Sequence, residues 1–277
     1  MKLSLLLYNT GIRCYATIIS IAALFNAKAK AWISGRKNIF TLMQAQLLPH
    51  EKRVWIHCAS LGEFEQGRPV IEKIKENYPF VKIVLTFFSP SGYSVQKNYA
   101  GADYVFYLPV DTRQNAEKFI ALINPSLALF IKYEFWYHYL RELNLRNIPI
   151  MLVSAIFREE QIFFRWYGIL FRAMLEYYDH IFLQTSASEK LLSNIGINKV
   201  SVAGDTRFDR VVAIASQVKS FPAVEYFLQG RRAFIAGSTW PDDENLLAQY
   251  IKAQHPGFPV IIAPHEIQEA HLKKIEE

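Results

Sequence analysis

Short apolar runs alternate with longer amphipathic segments along most of this chain, from residue 54 to residue 203. A short run rich in Val, Ile and Phe predicts a buried strand, and apolar residues recurring every three or four positions predict a helix. Predicted strands cover residues 54–59, 81–87, 104–108, 127–131, 149–153, 180–184 and 200–203, and predicted helices cover residues 63–77, 91–99, 112–122, 136–145, 162–177 and 187–195. This alternation predicts an α/β protein with a parallel sheet covered by helices on both faces.

The pattern changes at residues 204–209, Gly-Asp-Thr-Arg-Phe-Asp, which predict a hinge into a second domain. After a helical linker come one strand, one helix and one strand, at residues 232–236, 241–254 and 259–263. Open sheets usually have ~4–6 strands, so we expect the second domain to be cut short in this chain. The predicted organisation is an N-terminal segment (1–45), a first domain (46–209), and a linker with the start of the second domain (210–277).

The N-terminal segment is strongly basic. Residues 1–50 hold six of the 31 basic residues and none of the 25 acidic ones, so they account for the whole net charge of +6. The six are Lys2, Arg13, Lys28, Lys30, Arg36 and Lys37. Together with the apolar residues between them, these charges predict that residues 1–37 bind an anionic membrane surface.

The length of the apolar stretch indicates how this segment meets the membrane. The longest run without a charge covers residues 14–27, which is shorter than the ~20 apolar residues that a spanning helix needs. Arg13 lies inside any longer run. We therefore expect an anchor that lies in the membrane surface or inserts shallowly. Two alternatives stay open, a signal peptide and an apolar helix packed on the protein's own core.

Composition narrows the class of protein. Apolar residues make up 51% of the chain, enough for a sizeable core. The two cysteines, Cys14 and Cys58, cannot form a disulfide framework, which favours a reducing compartment. No Gly-x-Gly-x-x-Gly motif follows the first predicted strand, which argues against a nicotinamide dehydrogenase.

Two carboxylates stand where strands of the predicted sheet end. Glu63 begins the helix after the first strand, and Glu134 follows the fourth. Ligands of open α/β sheets bind at the carboxyl ends of strands, so we expect both residues on the rim of an active site. Ser60, where the first strand ends, and Gly62, where we expect the chain to turn, are candidate substrate contacts. A helix start favours the ionised form of Glu63, although a mere capping acid at Glu63 and a solvated loop acid at Glu134 explain the same pattern.

Small hydroxylated residues follow two other predicted strands. Ser89, Ser91 and Gly92 open the helix after the second strand, and Ser238 and Thr239 follow the first strand of the second domain. Backbone N–H groups at helix starts bind anions, which makes these residues candidate substrate contacts. Ordinary turn chemistry explains them equally well.

Two histidines and one acidic pair complete the candidates. His265 lies just past the last predicted strand and is a candidate ligand, whereas His57 lies within a strand and is interpreted as a core histidine. Asp242 and Asp243 are interpreted as acids of a helix N-terminus rather than as metal ligands.

Six segments of the chain carry a resemblance to a known family. They are His-Cys-Ala-Ser-Leu-Gly-Glu (57–63), Thr-Phe-Phe-Ser-Pro-Ser-Gly (86–92), Tyr-Leu-Pro-Val-Asp (107–111), Glu-Phe-Trp (134–136), Gly-Asp-Thr-Arg-Phe-Asp (204–209) and Gly-Ser-Thr (237–239). Each is a weak signal alone, but their order and spacing make the set specific. In these segments the chain resembles the 3-deoxy-D-manno-octulosonic acid (Kdo) transferases of lipopolysaccharide synthesis.

The resemblance implies a glycosyltransferase of the B-type fold, with two Rossmann-like domains facing a cleft. It implies transfer of Kdo from CMP-Kdo to the lipid A precursor (lipid IVA) at the cytoplasmic face of the inner membrane, with inversion at the sugar. By resemblance, Glu63 is the general base and Glu134 a second active-site carboxylate. The second domain would hold CMP, with Ser238, Thr239 and His265 as contacts. We expect no metal or other cofactor and no nucleic-acid partner.

The chain also departs from the family pattern. Lys132 stands where many members carry an acid, Tyr137 where a proline is usual, and Ala-Pro-His (263–265) where Pro-Arg-His is usual. Since the later donor-binding motifs of the family lie beyond Glu277, we expect this chain to lack a complete donor site and to be inactive alone. The alternatives are another sugar transferase of the same fold and a non-catalytic membrane-surface fragment that binds lipid.

Overall fold

The computed structural model describes residues 2–216, 220–254 and 256–276. They divide into two compact units, residues 1–215 and residues 216–277.

The first unit is built on a parallel sheet of seven strands. In chain order these are β1 (Arg53–Cys58), β2 (Lys82–Phe87), β3 (Tyr104–Tyr107), β4 (Pro125–Ile131), β5 (Ile150–Ala155), β6 (His180–Leu183) and β7 (Val200–Val202). Their order across the sheet is β3-β2-β1-β4-β5-β6-β7. The chain therefore builds outward from β1 to β3, returns to β4 beside β1, and continues in the other direction. Such a reversal of strand order opens a crevice at the carboxyl ends of the two central strands, here β1 and β4.

Helices separate the strands and precede them. They are α1 (Lys2–Ala22), α2 (Ala27–Ser34), α3 (Ile39–Gln46), α4 (Leu61–Asn77), α5 (Pro90–Gln96), α6 (Arg113–Ile123), α7 (Tyr137–Leu145), α8 (Ile169–Glu176), α9 (Ser186–Ser193) and α10 (Arg207–Ser216). The strand and helix alternation predicted for residues 54–203 is confirmed in class and order.

The core lies on both faces of the sheet. All six residues of β1 are buried, as expected for a central parallel strand. Because side chains alternate along a strand, Trp55 packs with Phe130 in the core on one face, and Ile56 packs with Phe64 in the core on the other. The predicted α/β class is therefore confirmed.

One predicted helix is wrong. Residues 162–177 form a short 3-10 helix (Ile162–Phe164), a turn, and then α8. Gly168 explains the interruption, since a Cβ at this position would lie 1.8 Å from the Ile162 carbonyl oxygen. The Arg172 guanidinium stabilises the turn by donating to the Phe163 and Arg165 carbonyls.

The first part of the N-terminal segment forms one continuous helix, α1, which runs through Arg13 to Ala22. Among the described residues, α1 alone is long and apolar enough to cross a membrane, judged by length and composition. Core helices of soluble proteins and signal sequences can have the same length and composition. One face of α1 packs on the first unit, because Leu5 and Tyr8 contact the core. The alternative of an apolar helix packed on the protein's own core therefore holds for one face of α1. On the other face, Leu7 and Ile18 are exposed.

Arg36 belongs to the interior and not to the charged surface expected of residues 1–37. Its guanidinium lies 3.9 Å from the centre of the Trp32 ring and 4.7 Å from that of Phe88. Its N–H groups donate to the carbonyl oxygens of Leu108 and Phe88. Burial lowers the pKa of Arg36 to about 9.

The predicted hinge at residues 204–209 is tied to the first unit. The Thr206 hydroxyl donates to the Gln66 carbonyl at 2.7 Å, and the Gln66 amide donates to Asp205 at 3.3 Å. Helix α10 then begins at Arg207, and the division between the two units falls nine residues further along the chain.

The second unit contains α11 (Pro222–Leu228), β8 (Phe234–Thr239), α12 (Pro241–Gln254), β9 (Val260–Pro264) and α13 (Glu269–Glu276). Strands β8 and β9 form a parallel pair. The strand predicted to end at residue 236 continues through Thr239, because the His265 N–H donates to the Thr239 carbonyl and extends the ladder. Residues 237–239 therefore belong to the strand and do not follow it.

Candidate functional site

Glu63 and Glu134 lie at the central crevice of the first unit. Glu63 is in the first turn of α4, directly after β1, and Glu134 is three residues past the end of β4. The sequence correctly predicted both positions relative to the strands. The expected turn at Gly62 is wrong, because Gly62 lies inside α4 and a Cβ there would meet nothing within 4 Å.

A capping box joins Glu63 to Ser60. The Ser60 hydroxyl accepts the Glu63 N–H at 3.4 Å, and Glu63 Oε2 accepts the Ser60 N–H at 2.9 Å. Two orphan N–H groups of the helix start are thereby satisfied. The interpretation of Glu63 as a capping acid is therefore correct. The Ser60 N–H also orients the Glu63 carboxylate in the site.

The environment of Glu63 does not favour its anion as expected from the helix start. Burial, followed by the nearby charge of Glu134, raises the pKa of Glu63 to about 7. The N–H groups of Ser60 and Ala59 and the ammonium of Lys132 lower it, but by less. Desolvation and the charge of Glu134 thus outweigh the N–H groups at the helix start and Lys132, and a carboxylate that titrates near neutral pH suits a general base.

Glu134 is buried and held at several atoms. Only 3% of the residue is exposed, so the solvated-loop interpretation is wrong. Its carboxylate accepts the Trp136 indole N–H, and its carbonyl accepts the Tyr178 hydroxyl. The chain reaches it through Lys132, whose φ of 72° lies in the left-handed region. Non-glycine residues adopt this backbone mainly at functional sites and tight turns.

His57 is a core residue, as expected, but it also contacts the site. Its Nδ1 lies 2.8 Å from the Thr86 hydroxyl and its Nε2 lies 2.9 Å from Glu134 Oε2. Sequence reasoning missed this contact, because it depends on β1 and β4 being neighbours. The pairing of His57 with Phe130, four residues before Glu134, is the signal that reveals it.

The serine-rich loop after β2 joins the same edge of the sheet. The Ser89 N–H donates to the Ala59 carbonyl at 2.7 Å. The Ser89 hydroxyl caps α5 by accepting the Ser91 N–H at 3.3 Å, and the two serine hydroxyls lie 2.8 Å apart. A Cβ on Gly92 would lie 2.4 Å from Phe87 Cδ1. Ordinary turn and packing chemistry therefore accounts for all three residues, and their contact with substrate stays a prediction.

The second unit brings together two of its three predicted residues. Ser238, with φ of 60°, has its hydroxyl 2.9 Å from His265 Nδ1, and both side chains are exposed. Trp240, which sequence reasoning missed, stacks on the His265 ring at a centroid distance of 4.5 Å. The buried Thr239 hydroxyl instead donates to Glu244 at 2.9 Å, so its one proton is already engaged within the unit.

Both acids of the acidic pair in the second unit lie in the first turn of α12, and one of them, Asp243, caps the helix. Asp243 accepts the Trp240 N–H at 2.9 Å at the start of α12. Within residues 2–216, 220–254 and 256–276, no group of three or more His, Cys, Asp or Glu side chains could hold a metal ion.

Asp111, the last residue of the segment 107–111, is a further residue to which the sequence assigned no role. It is buried and accepts the Tyr8 hydroxyl and the N–H groups of His138 and Tyr139, at 3.1 and 3.2 Å for the last two. These contacts join α1 to the start of α7, directly after Glu134 and Trp136. Burial raises the pKa of Asp111 to about 6.

A family comparison covers most of the first unit. A sequence model described as 3-deoxy-D-manno-octulosonic-acid transferase (kdotransferase) matches residues 34–210. The 3-deoxy-D-manno-octulosonic acid transferase of Haemophilus influenzae is 24% identical over 260 residues, 91% of this chain and 60% of that protein. The transferase of Bordetella pertussis is 27% identical over 163 residues, 56% of this chain and 38% of that protein. The chain thus spans about 60% of the length of the first of these relatives.

Solved structures share the fold at low identity. The UDP-GlcNAc 2-epimerase of Neisseria meningitidis aligns with a TM-score of 0.56 at 17% identity, covering 81% of this chain and 68% of that one. The UDP-GlcNAc 2-epimerase of Methanocaldococcus jannaschii aligns with a TM-score of 0.54 at 14% identity, covering 82% and 68%. These similarities identify the architecture as the glycosyltransferase B-type fold, which confirms the fold expected from the sequence.

Proposed function

We propose that this chain, which belongs to the 3-deoxy-D-manno-octulosonic-acid transferase family, supplies the general base of an enzyme that transfers Kdo from CMP-Kdo to the lipid A precursor. The observation that supports this most is the position and the raised pKa of Glu63. It lies at the carboxyl end of a central strand, and burial and Glu134 raise its pKa to about 7. A base with this pKa accepts a proton from a hydroxyl most effectively near neutral pH.

The reaction proposed for Glu63 is an inverting transfer. Its carboxylate removes the proton from the acceptor hydroxyl as that oxygen attacks the anomeric carbon of Kdo. The bond from this carbon to the CMP phosphate breaks on the opposite side, and CMP leaves with the bonding electron pair. The products are the Kdo-bearing lipid, CMP and protonated Glu63, which returns its proton to solvent.

Glu134 acts in this proposal through its charge. A second carboxylate beside Glu63 makes loss of the Glu63 proton harder and its regain easier. The base is therefore stronger at the moment when the acceptor hydroxyl loses its proton. Lys132, which lowers the pKa of Glu63, moderates the effect in this chain.

Ser238 and His265 are the proposed donor contacts of the second unit. Their exposed side chains lie at the carboxyl ends of β8 and β9, where α/β units bind nucleotides. The hydroxyl and the imidazole are suited to hydrogen bonds with a phosphate or ribose.

The proposed location is the cytoplasmic face of the inner membrane. The outward face of α1 and the following turn carry exposed apolar residues, among them Leu3, Leu7, Ile18 and Phe25. The basic residues Lys2, Arg13, Lys28, Lys30 and Lys37 are exposed around them. An apolar face bordered by basic residues suits an anionic lipid surface.

The experiment that tests the catalytic assignment is Glu63→Gln in the complete protein. Amide nitrogen and oxygen cannot take the proton, so Kdo transfer should fall ~100- to 10,000-fold, with CMP-Kdo binding unchanged by calorimetry. Glu76→Gln is the matched control, because Glu76 lies in the same helix and pairs at the surface with Lys73. Near-normal turnover by the Glu63 variant would remove Glu63 from the mechanism.

A further inference from the structure

A chain of polar contacts leads from Glu134 into the core. His57 is fully buried, and its two ring nitrogens face Glu134 and Thr86 at 2.9 and 2.8 Å. Thr86 is also fully buried and accepts the Trp55 indole N–H at 2.8 Å. The contact between His57 Nε2 and Glu134 has the distance of an ion pair without the alignment of a hydrogen bond. Its effect on Glu134 is therefore mainly electrostatic.

We propose that His57, held by Thr86, is a positioning residue of the transfer reaction that holds the Glu134 carboxylate and its charge beside Glu63. This inference rests on the proposed function, in which Glu63 is the base. A buried carboxylate without a positive partner takes up a proton, since burial disfavours its charge. Besides His57, the Trp136 N–H is the donor to this carboxylate among the described contacts.

Thr86 allows His57 to serve in either protonation state. When the imidazole is neutral with its proton on Nε2, the Thr86 hydroxyl can donate to Nδ1. When the imidazole is charged, Nδ1 donates to Thr86, whose hydroxyl can turn to the Ile56 carbonyl at 3.5 Å. Because a hydroxyl both donates and accepts, the positive edge of the ring faces Glu134 in both states.

The consequence reaches Glu63 through charge. Besides burial, the groups that act on the pKa of Glu63 are Glu134, Lys132, and the N–H groups of Ser60 and Ala59. Burial raises the pKa of the Cys58 thiol, and the charges of Glu63 and Glu134 raise it further. If Glu134 becomes neutral, the repulsion that raises the pKa of Glu63 disappears. Loss of the His57 contact should therefore lower the pKa of Glu63 and weaken it as a base.

Two variants of His57 separate charge support from packing. Asn at this position can keep the bond to Thr86 but cannot reach Glu134, whereas Gln can place an N–H near the position of Nε2. Carbon-13 NMR titration of glutamate side chains in the 277-residue chain measures the result without donor or acceptor. The titration midpoint of Glu63 should fall by about one pH unit in His57→Asn and by less in His57→Gln, as expected for loss of a neighbouring charge.

The control is a second histidine–glutamate pair. His271 Nε2 lies 3.1 Å from Glu244 in the second unit, and His271→Gln should leave the Glu63 midpoint unchanged. An unchanged Glu63 midpoint in a folded His57→Asn protein would overturn the proposal. If that variant does not fold, Glu134→Gln provides the test. This substitution should lower the titration midpoint of Glu63, and an unchanged midpoint would also overturn the proposal. Absence of Kdo transfer by the wild-type enzyme would instead contradict the proposed function and leave this titration unaffected.

Discussion

At the scale of single residues, the site depends on opposing influences on one carboxylate. The capping box and Lys132 favour the anion of Glu63, whereas burial and Glu134 favour its protonated form. Desolvation and like charge prevail here, which places the titration of Glu63 near neutral pH. Glu63 is therefore both a helix cap and a candidate base, since the capping bonds engage one of its two carboxylate oxygens.

Two glycines near this site make a matched test of the packing. A Cβ on Gly92 would lie 2.4 Å from Phe87 and 3.2 Å from the Leu61 backbone nitrogen, whereas a Cβ on Gly62 would meet nothing within 4 Å. Gly92→Ala should destabilise the protein by about 1–3 kcal/mol, as overpacking of a core does. Gly62→Ala should be neutral or stabilise α4 by up to about 1 kcal/mol.

Chemical denaturation of the two variants measures this difference. Equal midpoints would mean that α5 does not need its close approach to α4, contrary to the geometry described.

The residues that sequence reasoning found and missed differ in a physical way. Glu63 and Glu134 could be placed because strand ends follow from local apolar patterns. The partnership of His57 with Glu134 could not, because it requires the order of strands in the sheet. The raised pKa of Glu63 could not be predicted either, since it depends on burial by elements distant in the chain.

At the scale of elements, local pattern predicted most strands and helices and failed where backbone geometry intervened. The helix predicted over residues 162–177 is interrupted at Gly168, whose missing Cβ permits a chain turn that periodicity alone does not reveal. Strand β8 runs further than predicted because its partner β9 offers a further hydrogen bond. Tertiary partners therefore decided the boundaries that the sequence left open.

The N-terminal helices carry a prediction about membrane binding. Lys28, Lys30 and Lys37 are exposed, and each basic residue near an anionic surface contributes about 1 kcal/mol. Replacing all three by Gln should weaken binding to anionic vesicles roughly 100-fold. Co-sedimentation with vesicles of anionic and of neutral lipid measures the effect, which should also diminish with salt.

A control variant separates position from charge. Lys97, Lys190 and Lys199 are exposed elsewhere on the first unit, and their replacement by Gln should change vesicle binding far less. Equal losses from the two triple variants, or equal binding to neutral and anionic vesicles, would contradict a specific role for residues 1–37. Arg36 is left unchanged because its guanidinium packs in the interior.

At the scale of the whole molecule, strand order explains why the candidate site lies where it does. Successive strands are added on one side of β1 up to β3 and on its other side from β4 onward, and the two carboxylates follow β1 and β4. The alternation of elements was sufficient to predict the α/β class, and the six motif segments were sufficient to predict the family. The assignment of acceptor and donor to separate domains stays a prediction.

The most direct test of the proposed function is the donor that the complete protein uses. Purified protein, vesicles containing lipid A precursor, and either CMP-Kdo or UDP-GlcNAc are combined, and mass spectrometry measures the sugar added to the lipid. We expect addition of Kdo with CMP-Kdo, loss of this activity in Glu63→Gln, and no addition with UDP-GlcNAc. Transfer of a sugar from UDP-GlcNAc with none from CMP-Kdo would contradict the proposed function and favour another transferase of the same fold.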